Sequence, residues 1–97
     1  MKIDAEQVIQ QLGGFRRLQS MINAQHFSKA EDYVTFKFTG SKVANYLKVT
    51  LLPSDTYKVV FIKLWGSKVK VVKEVENVYA DSLIELFENT TGLYLRI

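Results

Sequence analysis

The spacing of apolar residues changes from helical to alternating about a third of the way along this chain, and that change limits the fold more than any other feature. Up to about Asn23 apolar side chains recur every three or four residues, whereas from Tyr33 to Val75 they alternate in four runs separated by turn-forming residues. The first spacing suits helices that bury one stripe, and the second suits strands that bury one face. Helices followed by consecutive strands predict an α+β domain built on an antiparallel sheet.

Asp4 and Gln7 form a capping-box pattern, after which Val8, Ile9 and Leu12 share one side of a short helix. Gly13-Gly14 ends or bends it. Phe15, Leu18, Met21 and Ile22 then define a second helical piece to about Asn23, with Arg16, Arg17 and Gln19 opposite. In the first strand Val34, Phe36 and Phe38 point one way and Tyr33, Thr35 and Lys37 the other. Gly40-Ser41 turns the chain into a second strand, with Leu47, Val49 and Leu51 inward and Tyr46, Lys48 and Thr50 outward. Pro53-Ser54-Asp55 predicts a hairpin, because proline presets φ and short polar side chains bond nearby backbone. The third strand, Tyr57 to Trp65, is apolar on both faces and reads as central. Val60, Ile62 and Leu64 lie on one side, and Tyr57, Val59, Phe61 and Trp65 on the other. Gly66-Ser67 leads into the fourth strand, Lys68 to Val75, which completes a meander. A last helix carries Leu83, Leu86 and Phe87 and stops at Gly92. Leu93, Leu95 and Ile97 alternate with Tyr94 and Arg96, which leaves room for a short closing strand. The expectation is one domain over residues 1–97, a four-stranded meander, or five-stranded with the closing strand, carrying helices from both ends on one face.

Charge is segregated along the same divisions. Residues 33–73 hold eight lysines against the single acid Asp55, a balance of +7, while residues 1–32 balance to zero and residues 74–97 to −4. A strand-rich segment of one sign predicts a surface that meets an anion. Tyr33, Lys37, Tyr46, Lys48, Tyr57, Phe61, Lys63, Trp65, Lys68 and Lys70 are read as sharing the outward face. Of these, Lys37, Tyr46, Lys48, Phe61, Lys63, Trp65, Lys68 and Lys70 are the candidate nucleic-acid-binding set, aromatics stacking bases while ammonium groups meet phosphates. Single-stranded nucleic acid is therefore the first partner class. The competing reading makes the aromatics buried anchors for a host protein or a second copy of the chain, with lysines guarding strand edges and solubility.

No catalytic or metal site is expected. The chain has no cysteine and one histidine, His26, without a second ligand at metal-binding spacing. Its serines lack a nucleophile motif, and Gly13-Gly14 lacks the lysine and further glycines of a phosphate loop. Glu85 and Glu88 lie one turn apart on the last helix, where a cation site competes with simple solvation. No cofactor is implied. Without a long apolar run at the start or a span of ~20 apolar residues, the expectation is a soluble, cytoplasmic, non-enzymatic protein.

Asn45-Tyr46-Leu47-Lys48-Val49-Thr50-Leu51, Asp55-Thr56-Tyr57, Val78-Tyr79-Ala80-Asp81 and the ending from Leu86 through Thr91-Gly92-Leu93-Tyr94-Leu95 are similar to segments of a known group. With Gln11-Leu12-Gly13-Gly14 near the start, the chain resembles, over most of its length, small uncharacterised proteins encoded by bacteriophages and other mobile elements of bacteria. The resemblance implies such an origin, in the cytoplasm of a bacterial host. That group has no assigned activity, so it lends no residue a role.

Overall fold

The structure, a computed structural model, describes residues 2–95. Helices α1 (Ala5–Gln11) and α2 (Phe15–Ile22) open the chain, and strands β1 (Gln25–Lys29), β2 (Tyr33–Lys37), β3 (Tyr46–Leu51), β4 (Tyr57–Trp65) and β5 (Lys68–Val78) follow. A 3-10 turn at Ala80–Ser82 then leads into α3 (Leu83–Thr91). The five strands form one antiparallel sheet in the order β1-β2-β3-β4-β5, so the predicted α+β meander is the observed fold.

The fifth strand lies elsewhere than the alternation at the C-terminus predicts. It is β1, paired with β2 through Ser28 opposite Thr35 and Lys29 opposite Val34. Leu93 and Leu95 are not in a strand; Leu95 is fully buried and Leu93 packs on the core, while Arg96 and Ile97 lie outside the described residues. β1 carries no alternating pattern because it bulges between Gln25 and Ser28, where His26 sits at φ +57°, and Phe27 is its one large apolar residue. A bulge adds a residue and destroys strict period two. β5 likewise runs past Val75 to Val78, through irregularities near Val72 and near Asn77, whose φ is +58°. Those bulges, with Lys68, Lys70 and Lys73, blunt an edge strand that would otherwise offer its backbone to other chains.

The core lies between the helices and one sheet face. Phe36, Leu47 and Phe61 line up across β2, β3 and β4, and Val49 opposes Val59 in the next row. Leu18 and Ile22 of α2, Val8 of α1 and Phe87 of α3 close over them. The aromatic rings run in a chain from Phe15 through Phe27, Phe36 and Phe38 to Phe87, with centroids 4.9–6.2 Å apart. Such contacts add specificity to the area they bury. Asp4 caps α1 by accepting the Gln7 N–H at 3.2 Å, and Gly92, at φ +78°, ends α3 in the left-handed conformation that favours glycine.

Tyr57, expected outward, is buried, and its hydroxyl donates to Gln11 Oε1 at 3.1 Å, tying α1 to the sheet. Burial pushes its phenol pKa above the ordinary value, with Asp55 and Asp4 adding to the effect. A raised folded-state pKa means that the unfolded chain ionises first as pH climbs. The stabilisation is therefore complete below the unfolded value of about 10 and is lost as pH rises through the folded one. Tyr57→Phe is expected to cost ~1 kcal/mol near neutrality through the lost hydrogen bond, and to flatten the alkaline loss. Melting temperatures of the two proteins at neutral and at alkaline pH check this: curves that stay parallel would contradict it.

Candidate functional site

The hairpin that joins β4 to β5 reaches past its neighbours. β3 begins at Tyr46, opposite Ile62, whereas β4 and β5 remain paired out to Trp65 and Lys68. The side chain of Asn45 covers part of the difference. Its Nδ2 donates to the Leu64 carbonyl at 2.8 Å and its Oδ1 accepts the Leu64 N–H at 2.7 Å. One amide thus supplies the two hydrogen bonds that a neighbouring strand residue would have made, and it fixes the strand between Lys63 and Trp65.

Facing this hairpin is the connection between β2 and β3. Ser41 Oγ donates to the Thr91 carbonyl at 2.8 Å and accepts the Val43 N–H at 3.1 Å, which anchors the segment to the end of α3. Gly40, at φ +99°, lets the chain turn there, and a Cβ on it would come within 3.2 Å of Leu93 Cδ2. Between these two walls lies an open groove of ≈ 410 Å³, lined by Lys42, Val43, Lys63, Trp65, Lys70 and Val72. Lys63 and Lys70 stand directly opposite each other on the ladder, and Trp65 opposes Lys68. Among the described residues no carboxylate lies within 4 Å of any of these lysines' ammonium groups. Like charges directly opposite across strands destabilise a sheet, so an unneutralised Lys63 and Lys70 pair is a standing cost that an anion would relieve. Trp65, 45% exposed, gives the groove an aromatic surface.

The structure divides the expected binding set. Lys63, Trp65, Lys68 and Lys70 are brought together at the hairpin, with Lys42 added from the opposite wall. Lys37, Tyr46 and Lys48 lie on the other face of the sheet, in register with Ile62 and Val60 rather than with Phe61 and Lys63. There Lys48 Nζ sits 4.4 Å from the centroid of Tyr33. Phe61 is the clear correction: it is 0% exposed, packed at the centre of the core with Phe87 at 6.3 Å, and cannot stack on a base. Because β4 is apolar on both sides, alternation alone does not say which side is inward. Turn length does. Leu51 opposes Tyr57 across the Leu52–Thr56 connection, so an inward Leu51 requires an inward Tyr57 and, two and four residues on, an inward Val59 and Phe61. Asn45 and Lys42 were the missed members of the site; a short polar side chain just before a strand was the available signal for the first.

The other candidate groups take structural or solvated places. His26 and Arg16 are exposed, and Glu85 is on the wet side of α3. Glu88 is half-buried, and its Oε2 accepts the Leu95 N–H at 2.8 Å, so it ties down the segment after α3. Among the described residues no three His, Cys, Asp or Glu side chains converge to hold a metal ion, and no helix is long and apolar enough to cross a membrane.

Acids collect at the other end of the sheet. Glu31 and Asp32 in the β1–β2 turn and Asp55 in the β3–β4 turn lie there, with Asp4 close enough to Tyr57 for its charge to be felt. Lys37, Lys42, Lys63, Lys68 and Lys70 occupy the hairpin end. Lys2 and Lys29 sit beside Glu31 and Lys58 follows the Asp55 turn, so the two signs mix at the Glu31 end of the sheet while the β4–β5 hairpin is basic. No protein-family model, curated protein or solved structure matches the chain.

Proposed function

We propose that the protein binds single-stranded nucleic acid in the groove around Trp65, as a small accessory protein that acts by binding rather than by catalysis. The observation that carries this reading is the meeting of Lys42, Lys63 and Lys70 around one exposed tryptophan, with no carboxylate within 4 Å of them among the described residues. A flexible strand can follow such a groove with its phosphates on the ammonium groups while one base stacks on the indole. Sequence preference would be weak, since lysine contacts phosphate as a point charge and every base has a face to stack. The segments that resemble phage and mobile-element proteins support a setting in a bacterial cytoplasm.

Fluorescence anisotropy with labelled single-stranded DNA, single-stranded RNA and duplex DNA tests the reading. If the groove neutralises about four phosphates, single-strand affinity should fall ~50-fold between about 50 and 200 mM salt. Tighter binding to duplex than to either single strand would reject the stacking groove, and no binding at low salt would reject an anionic partner altogether.

A further inference from the structure

Among the described residues the helices all pack on the core side of the sheet, and the composition of the opposite face differs from that of the groove. Its centre is aliphatic: Val60, already buried within the chain, and the half-buried Ile62 and Leu64 on β4 lie beside Val71 and Val69, which are 57% and 67% exposed. Branched aliphatic side chains offer no surface for stacking bases. The flanks carry opposite charges. Lys37 and Lys48 stand on the β2 and β3 side, whereas Glu74 stands on the β5 side, with Glu76 near enough for its charge to act on Lys58. Lys48, Val60 and Glu74 form one row across three strands, a base, an apolar residue and an acid in line. Lys58 holds Glu74 Oε1 at 2.8 Å, and the Glu74 side chain remains 49% exposed.

We infer that this sheet face binds a second copy of the same chain, the two sheets packing face to face about a twofold axis that runs along β4. Two sheets pack with their inner faces ~10 Å apart and their strands nearly aligned. An axis along β4 places the Val60, Ile62 and Leu64 stripe of one copy on that of the other, and brings the two Lys58 side chains, each held by its own Glu74, together at the end of the stripe. It also exchanges the flanks, so that Lys48 of each copy meets Glu74 of its partner, twice per dimer. A twofold interface has to be self-complementary in this way, and a row of base, apolar residue and acid is the simplest pattern that meets the condition. A nucleic acid fits this face less well than the groove, because Glu74 and Glu76 would face its phosphates and the aromatics of the face, Tyr33 and Tyr46, stand to one side of its aliphatic centre. The same axis leaves both Trp65 grooves free and at the same end of the dimer, so the inference stands apart from the proposed function, and its substitutions touch no groove lysine.

Sedimentation velocity from micromolar to submillimolar concentration, without nucleic acid, tests it. The parent should move reversibly to twice the chain mass. Glu74→Lys alone and Lys48→Glu alone should each weaken association at least ~10-fold, since each sets like charges against each other at both contacts. An equimolar mixture of the two variants should dimerise as the parent does, because each then offers the charge the other lacks. Glu74→Lys also breaks the Lys58 ion pair and Lys48→Glu the contact with Tyr33, so circular dichroism and melting of each variant are recorded beside its association. Ile62→Lys, at the centre, should give a monomer whose circular dichroism matches the parent. A parent that stays monomeric throughout overturns the inference. So does a dimer that Glu74→Lys leaves unchanged, or a mixture that fails to associate.

Discussion

Exchanging Lys63 and Lys70 together for glutamate is expected to lower affinity for single-stranded DNA or RNA at least ~100-fold, with the melting temperature little changed, since one like-charged cross-strand pair replaces another. The two substitutions turn the centre of the groove from attractive to repulsive while Lys42 and Lys68 remain. Lys63 and Lys48, which both read as outward in the sequence, are not an equivalent pair: they lie on opposite faces, and Lys48→Glu should leave groove binding within about threefold of the parent. Trp65→Ala removes the stacking surface only, and should cost ~10-fold with the salt dependence unchanged. Anisotropy titrations of the three variants separate the contributions. Parent-like binding by the Lys63 and Lys70 double variant would place the nucleic-acid site elsewhere or nowhere.

Phe61→Ala is the second large effect, on stability. Phe61 is fully buried between Leu47 and Phe87, and truncating a phenylalanine in such a site costs ~3–5 kcal/mol through lost transfer energy and the cavity left behind. A domain of this size is stable by about 5–15 kcal/mol, so the variant should melt ~15 °C or more below the parent. Trp65→Ala, four residues along the same strand, should shift the melt by no more than a few degrees. Equal losses at the two positions would contradict the assignment of one to the core and the other to the groove.

These paired outcomes show what the residues made legible. Helices α1, α2 and α3 and strands β2 to β5 follow from periodicity and turn residues, because each buries a regular stripe or face. β1 escapes because its bulge at His26 breaks alternation and only Phe27 reports its burial. The sense of β4 is hidden for a different reason: Val60, Ile62 and Leu64 are as apolar as Val59 and Phe61, so period two defines two faces without saying which is inside. The basic character of the site was visible in the lysine count, but its location was not. It depends on where β4 outruns β3, and on an asparagine and a serine whose hydrogen bonds set the two walls.

The sheet order, identical to the chain order, also bears on how the molecule comes to fold. Every strand pairs with the strand just before it, so each hairpin can close over a short loop as synthesis proceeds, with little entropy lost at each step. The exception is α3. Its Phe87 must return to Phe38, and Thr91 to Ser41 fifty residues earlier, before the core has a lid. A ribosome-bound chain that ends before α3 would hold a zipped sheet with Phe36, Phe38 and Phe61 still partly bare, the state in which a nascent chain is most exposed to chaperones and to aggregation.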